Sequence, residues 1–143
     1  SLAALAARLT LGITMLTAGW PKLMNFNETL NQFGNPQWLA IPAPIAFLVI
    51  MAESLGAIGL ITGVFARFCA FGNALVMIGA ILMVHGKYGF PLMDPVNPNP
   101  REVGWAFNFT LLGLAVVVML AGAGAFSFDR WLTKRLQAPA ATT

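Results

Sequence analysis

The chain has 143 residues, 58% hydrophobic and only 9% charged, against about 25% charged in an ordinary soluble domain. So few charges cannot cover a water-soluble protein of this size, and a mean hydropathy of +0.76 makes lipid the natural solvent for one compact unit, residues 1–137, of about four spans. The net charge of +3 comes from Lys and Arg scattered among apolar runs instead of gathered on a polar face, which sets nucleic acid aside as a partner.

The first apolar run, residues 2–23, lacks the short core and small-residue cleavage site of a secretory signal and reads as a retained span. Pro21 near its end is expected to kink or stop the helix. Arg8, Gly12, Met15, Gly19 and Lys22 recur at spacings of four and three and so share one stripe. The glycines admit a close neighbour, and the two cations mark the ends of that contact or snorkel to the headgroups. Residues 25–44, NFNETLNQFGNPQWLAIPAP, place Phe26, Leu30 and Phe33 at helical spacing. That pattern admits a short interfacial amphipathic piece anchored by Trp38, with a plain capping loop as the preferred expectation.

Residues 45–65 are the stretch on which the rest depends, because an apolar span long enough to cross the hydrocarbon core carries Glu53 well inside it. A carboxylate in lipid needs a partner, a proton or a polar cavity, and the other spans must provide it. The turn around Gly63 to Arg67 is so short that the third span, residues 68–84, must run antiparallel beside the second. It holds Asn73 and ends at His85. Residues 85–102 carry four of the nine prolines and read as a long irregular outer loop. The fourth span, 103–120, holds Asn108. The chain then breaks at Gly122 and Gly124, restarts as a basic amphipathic helix over 128–136 with Phe128, Trp131, Leu132 and Leu136 toward lipid, and ends in a flexible stretch, 138–143.

The expected fold is therefore all-α: an integral membrane, antiparallel bundle of four transmembrane helices with a C-terminal interfacial amphipathic helix. Arg8, Arg67, Arg130, Lys134 and Arg135 fall on the side of both termini, with Lys22, Lys87 and Arg101 opposite. That bias puts both termini in the cytoplasm.

At about 1.5 Å per residue, Glu53 lies roughly 12 Å and Asn108 roughly 8 Å below the outer ends of their spans, while Lys22 and His85 sit at the outer ends of theirs. One half of the bilayer thus gathers a carboxylate, an ammonium, an imidazole and an amide. Either Lys22 or Arg8 reaches Glu53 and the pair locks the bundle, or Lys22, Glu53, His85 and Asn108 line a pocket for a quinone head group, a proton or a small solute. The lone Cys69 allows no internal disulfide and reads as a small apolar filler. With one His and one Cys the chain provides no haem pair, iron–sulfur site or other metal set.

The order and spacing of ARLTLGITMLTAGWPKL, AESLGAIGLITGVFAR, the span ending at His85 and the closing AGAGAFSFDRWL, with Ser127 and Asp129, resemble the DoxX-like integral membrane proteins over nearly the whole chain. The long Pro/Asn loop between His85 and Glu102, and Trp20-Pro21 before Lys22, depart from the common pattern. The resemblance implies a four-helix membrane protein with a redox context, linked to sulfur or thiol oxidation and to quinone-coupled complexes. The expected role is an accessory subunit of a membrane redox assembly in the bacterial inner membrane. No cofactor is bound covalently; quinone or lipid is the expected ligand, and membrane lipids with other membrane subunits or further copies of the chain are the expected partners. A structural subunit packed against larger chains and a small-solute or proton transporter are the alternatives.

Overall fold

The computed structural model describes residues 1–91, 103–124 and 126–137; most of the expected outer loop and the expected flexible end at 138–143 lie outside them. The described chain is helical. Helix α1 is Leu2–Met24, α2 is Phe26–Gly34, α3 is Ala43–Thr62, α4 is Ala66–Ala80, α5 is Ala106–Ala121 and α6 is Phe128–Gln137. Beyond α4 the helical path continues as a π-turn, Ile81–His85, and a 3-10 turn, Gly86–Tyr88. Three runs are long and apolar enough to cross a membrane: Leu2–Met24, Ala43–Thr62 and Ala66–Tyr88. Helix α5 is equally apolar but has 16 residues.

The helices close a ring in which α1 packs on α3 and α5, and α4 packs on the same two. The α1 stripe read from the sequence drives the first contact. Arg8, Gly12, Met15 and Gly19 are buried, Gly12 faces the Ala57 carbonyl, and a side chain at Gly19 would collide with the Glu53 backbone. Leu11, Met15, Leu60, Met77, Leu111 and Val118 fill the centre.

Three expectations shift. Helix α1 runs past Pro21 to Met24, because the missing N–H falls in the last turn, and Asn25 N–H still reaches the Pro21 carbonyl at 3.0 Å. Residues 26–34, expected as a loop, form α2, whose Phe33 turns inward and is 7% exposed. The fourth helix begins at Ala106 instead of 103, since Trp105 and Ala106 spend their N–H groups on the carbonyls of Gly89 and Phe90, at 3.0 and 2.9 Å. The T-shaped stacking of Phe90 on Trp105, with ring centroids 4.7 Å apart, fixes that bridge.

The termini end of the bundle is sewn shut by the stretch that precedes α6. Gly122 and Gly124 turn with φ of 76° and 70°, and Gly124 lies so close to α1 that a Cβ would meet Ala4 Cβ at 2.9 Å. Asp129 then accepts from Phe65 N at 3.0 Å and Ala66 N at 3.2 Å, while its own N–H donates to Gly63 O at 3.1 Å. Helix α4 has no local side-chain cap, and a carboxylate more than sixty positions away takes that role at the positive end of the helix dipole.

Candidate functional site

At the opposite end α3 and α4 part. A methyl group placed on Gly59 would meet Cys69 Sγ at 2.5 Å, one on Gly56 would meet Asn73 Nδ2 at 3.2 Å, one on Gly72 would meet Ala52 Cβ at 3.7 Å, and one on Gly79 would meet nothing within 4 Å. The separation grows steadily away from the 63–65 turn. Asn73 sits at the point of divergence, its Nδ2 bridging Ala52 O at 3.1 Å and Cys69 O at 2.9 Å.

The wedge opens into a cavity of about 1020 Å³ whose walls are mostly apolar and whose lining includes Lys22, Glu53, His85 and Asn108. Lys22 Nζ forms an ion pair with Glu53 Oε2, and the two side chains are 31% and 6% exposed. Of the two partners considered for Glu53, Lys22 is therefore the one in contact. Arg8 lies about 21 Å away along the same helix, where Nη2 donates to Phe126 O at 3.1 Å and Nε and Nη1 are buried without a partner among the described residues.

Helix α2 roofs the ion pair. The Lys22 ammonium stands 5.8 Å from the Phe33 ring centroid, Phe33 packs on Trp38 at 5.8 Å, and Thr29 Oγ1 donates to the Lys22 carbonyl at 3.2 Å. An ammonium over an aromatic face is attracted by the ring quadrupole. Across the cavity His85 Nδ1 is 2.7 Å from Val103 O. A carbonyl only accepts, so Nδ1 is the donor in this bond, and in the Nδ1–H tautomer Nε2 is the acceptor of the ring. The π-turn sets this geometry, because Gly86 N–H reaches back five residues to Ile81 O and rotates His85 off the regular helical register. Asn108 is 7% exposed, and among the described residues its Nδ2 meets only the weak acceptor Met77 Sδ, at 3.6 Å. The site thus offers an ammonium paired with a carboxylate, an imidazole and an amide in the lining of one mostly apolar chamber.

Phe33, Trp38 and the Val103 carbonyl were not among the site residues read from the sequence. Phe33 had a signal in its helical spacing with Phe26 and Leu30; the carbonyl had none.

The DoxX family model matches residues 3–86, more than half of the chain and all of α1 to the π-turn except the first residue of α1. The chain belongs to the DoxX family. Two curated relatives from Escherichia coli (strain K12) are similar to this DoxX chain along nearly its full length. They are inner membrane protein YqjF, 26% identical over 131 residues and covering 92% of both chains, and inner membrane protein YphA, 27% identical over 128 residues and covering 88% of this chain and 87% of its own. No solved structure matches the chain. The matched stretch carries Arg8, Lys22, Glu53 and His85, so the ion pair and the imidazole lie within the part of this DoxX protein that the family model describes, whereas Asn108 and α6 lie beyond it.

Proposed function

We propose that this DoxX membrane protein crosses the inner membrane four times with both termini in the cytoplasm, and that its outer-half cavity binds a quinone as part of a membrane redox assembly. The observation that carries the reading is that Lys22, Glu53, His85 and Asn108 all line a single, mostly apolar cavity. Its volume of about 1020 Å³ is at the upper end of ordinary ligand sites, roughly 300–1,000 Å³, and suits a ring with an isoprenoid tail.

The residues present fit the group. In this reading Lys22 and Asn108 would donate to ring carbonyls, His85 Nε2 would accept from a ring hydroxyl, and Glu53 would hold the ammonium. A quinone, when bound, supplies the two-electron, two-proton couple. The close packing of Gly59 on Cys69 favours a chamber closed at its inner end over a through-path for a transported solute.

The topology is supported by the three long apolar runs and by α5, whose 16 residues reach about 24 Å of a hydrocarbon core of about 30 Å. Residues 103–105 extend that reach. The cations support the orientation, with Arg8, Arg67, Arg130, Lys134 and Arg135 at the end closed by α6 and Lys22 and Lys87 at the other. On this reading α6 lies along the cytoplasmic surface. Lys87→Cys is expected to react with an impermeant thiol reagent on the outside of intact cells, and labelling only after lysis would sink the orientation.

The test of the ligand is extraction of the protein purified in mild detergent, with quinones quantified by mass spectrometry. Near-stoichiometric quinone is expected with the wild type and little with Gly79→Phe, which fills the open wedge. Absence of quinone from the wild type, or equal retention by both, overturns the assignment. A structural reading also has an observation behind it, the direct Lys22–Glu53 pair under its α2 roof, and a double-mutant cycle separates the two.

A further inference from the structure

We infer a second ligand site, at the termini end of the bundle, that binds the phosphate of an anionic phospholipid. It is independent of the quinone reading, and of its lining residues only Phe68 also borders that cavity. A pocket of about 660 Å³ opens between the start of α4, the end of α5 and the first turn of α6. Arg67 and Arg130 both line it, together with Ser127 and Thr133.

Neither guanidinium has a carboxylate partner among the described residues. Arg67 makes one long hydrogen bond, from Nη2 to Leu120 O at 3.4 Å. Asp129 also borders the pocket, but its two oxygens are engaged by Phe65 N and Ala66 N and it is turned to capping. The backbone makes room for Arg67 at Gly122, where φ is 76° and a Cβ would come within 3.2 Å of Nε. Two planar five-donor cations form a set suited to phosphate oxygens, which guanidinium groups bind in a forked geometry, while the Ser127 and Thr133 hydroxyls donate to Gly124 O and Asp129 O and stay outside that set.

A free phosphate would use only this polar part. The same pocket is also walled by Phe65 and Phe68, which are 73% and 76% exposed, at the level where a headgroup gives way to acyl chain. Charge and apolar surface are thus arranged as in a diacyl phospholipid bearing net negative charge. The lipid would bridge α4, α5 and α6, the elements that the Asp129 bonds and the two glycine turns hold together.

The experiment is native mass spectrometry of the full chain in mild detergent, offered equal amounts of phosphatidylglycerol and phosphatidylcholine, with inorganic phosphate as a separate arm. The wild type is expected to retain phosphatidylglycerol several-fold over phosphatidylcholine and to gain thermal stability from it. Arg67→Gln with Arg130→Gln is expected to abolish the preference, and Arg67→Lys with Arg130→Lys to weaken it. Lys134→Gln with Arg135→Gln, exposed cations outside the pocket, is expected to keep it. Equal retention of the two lipids by the wild type overturns the proposal even if the glutamine variant fails to fold. So does equal stabilisation by inorganic phosphate, or loss of the preference in the Lys134/Arg135 variant.

Discussion

At the termini end, Gly63 and Gly124 leave no space for a side chain, Arg8 is 1% exposed, and Asp129 joins α6 to the α3–α4 turn through two hydrogen bonds accepted by its carboxylate and one donated by its N–H. At the cavity end Gly79 has nothing within 4 Å, and the polar side chains meet an ammonium, a lone carbonyl and a thioether. One end is closely packed, with the Arg8 Nε and Nη1 donors buried there without a partner among the described residues, and the other leaves space. Proteins keep empty volume at a cost in stability, so the loose end is where a ligand is to be sought and the tight end is the clamp that makes the looseness tolerable.

The strongest way to break this contrast is at the clamp. Gly63 has φ of 74°, and a Cβ there would meet Ser127 Cβ at 2.6 Å; Gly63→Val is expected to cost about 3–5 kcal/mol and to appear as lost folded yield in detergent. Asp129→Ala strips the acceptor from two helix N–H groups and should cost about 2–3 kcal/mol. Its sign is a lower Tm together with early proteolytic release of α6. A clamp that withstands both changes has been misjudged.

At the cavity end the effects shrink. Glu53→Gln breaks the ion pair, but Lys22 is partly exposed and can turn outward, so the loss is expected to be about 1–2 kcal/mol. If the pair is structural, adding Lys22→Met restores most of that stability. If the pair serves a bound quinone, both variants lose quinone retention and the double variant restores none of it. Gly79→Ala is the smallest change and the sharpest control: with no neighbour to meet, it should raise Tm through about 0.5–1 kcal/mol of helix propensity. A fall in Tm would mean that the wedge is closed.

The sequence reveals what short-range periodicity encodes. Hydropathy delimits α1, α3 and α4, and the four-and-three spacing of Arg8, Gly12, Met15, Gly19 and Lys22 marks the face that meets α3. Depth counting along the spans puts Lys22, Glu53, His85 and Asn108 in one half of the bilayer, at depths that differ by roughly 12 Å. What it does not encode locally is long-range hydrogen bonding. The late start of α5 depends on carbonyls of Gly89 and Phe90, the π-turn on a hydrogen bond shifted by one residue, and the capping of α4 on Asp129. None of these leaves a mark in the neighbouring residues. The cavity itself comes from the angle between α3 and α4, which no single-helix pattern specifies.

The direction in which the α3–α4 wedge opens has a thermodynamic consequence. Leu48, Leu55, Phe71, Leu75 and Met83 border it and are also exposed, so its mouth faces the side of the bundle, where the acyl chains lie. An occupant arriving by that route moves in two dimensions, after it has already left water. Its occupancy then follows its mole fraction among the lipids and not its aqueous molarity. Diluting the protein into more lipid at constant total ligand should empty the site, while diluting the buffer should leave it filled.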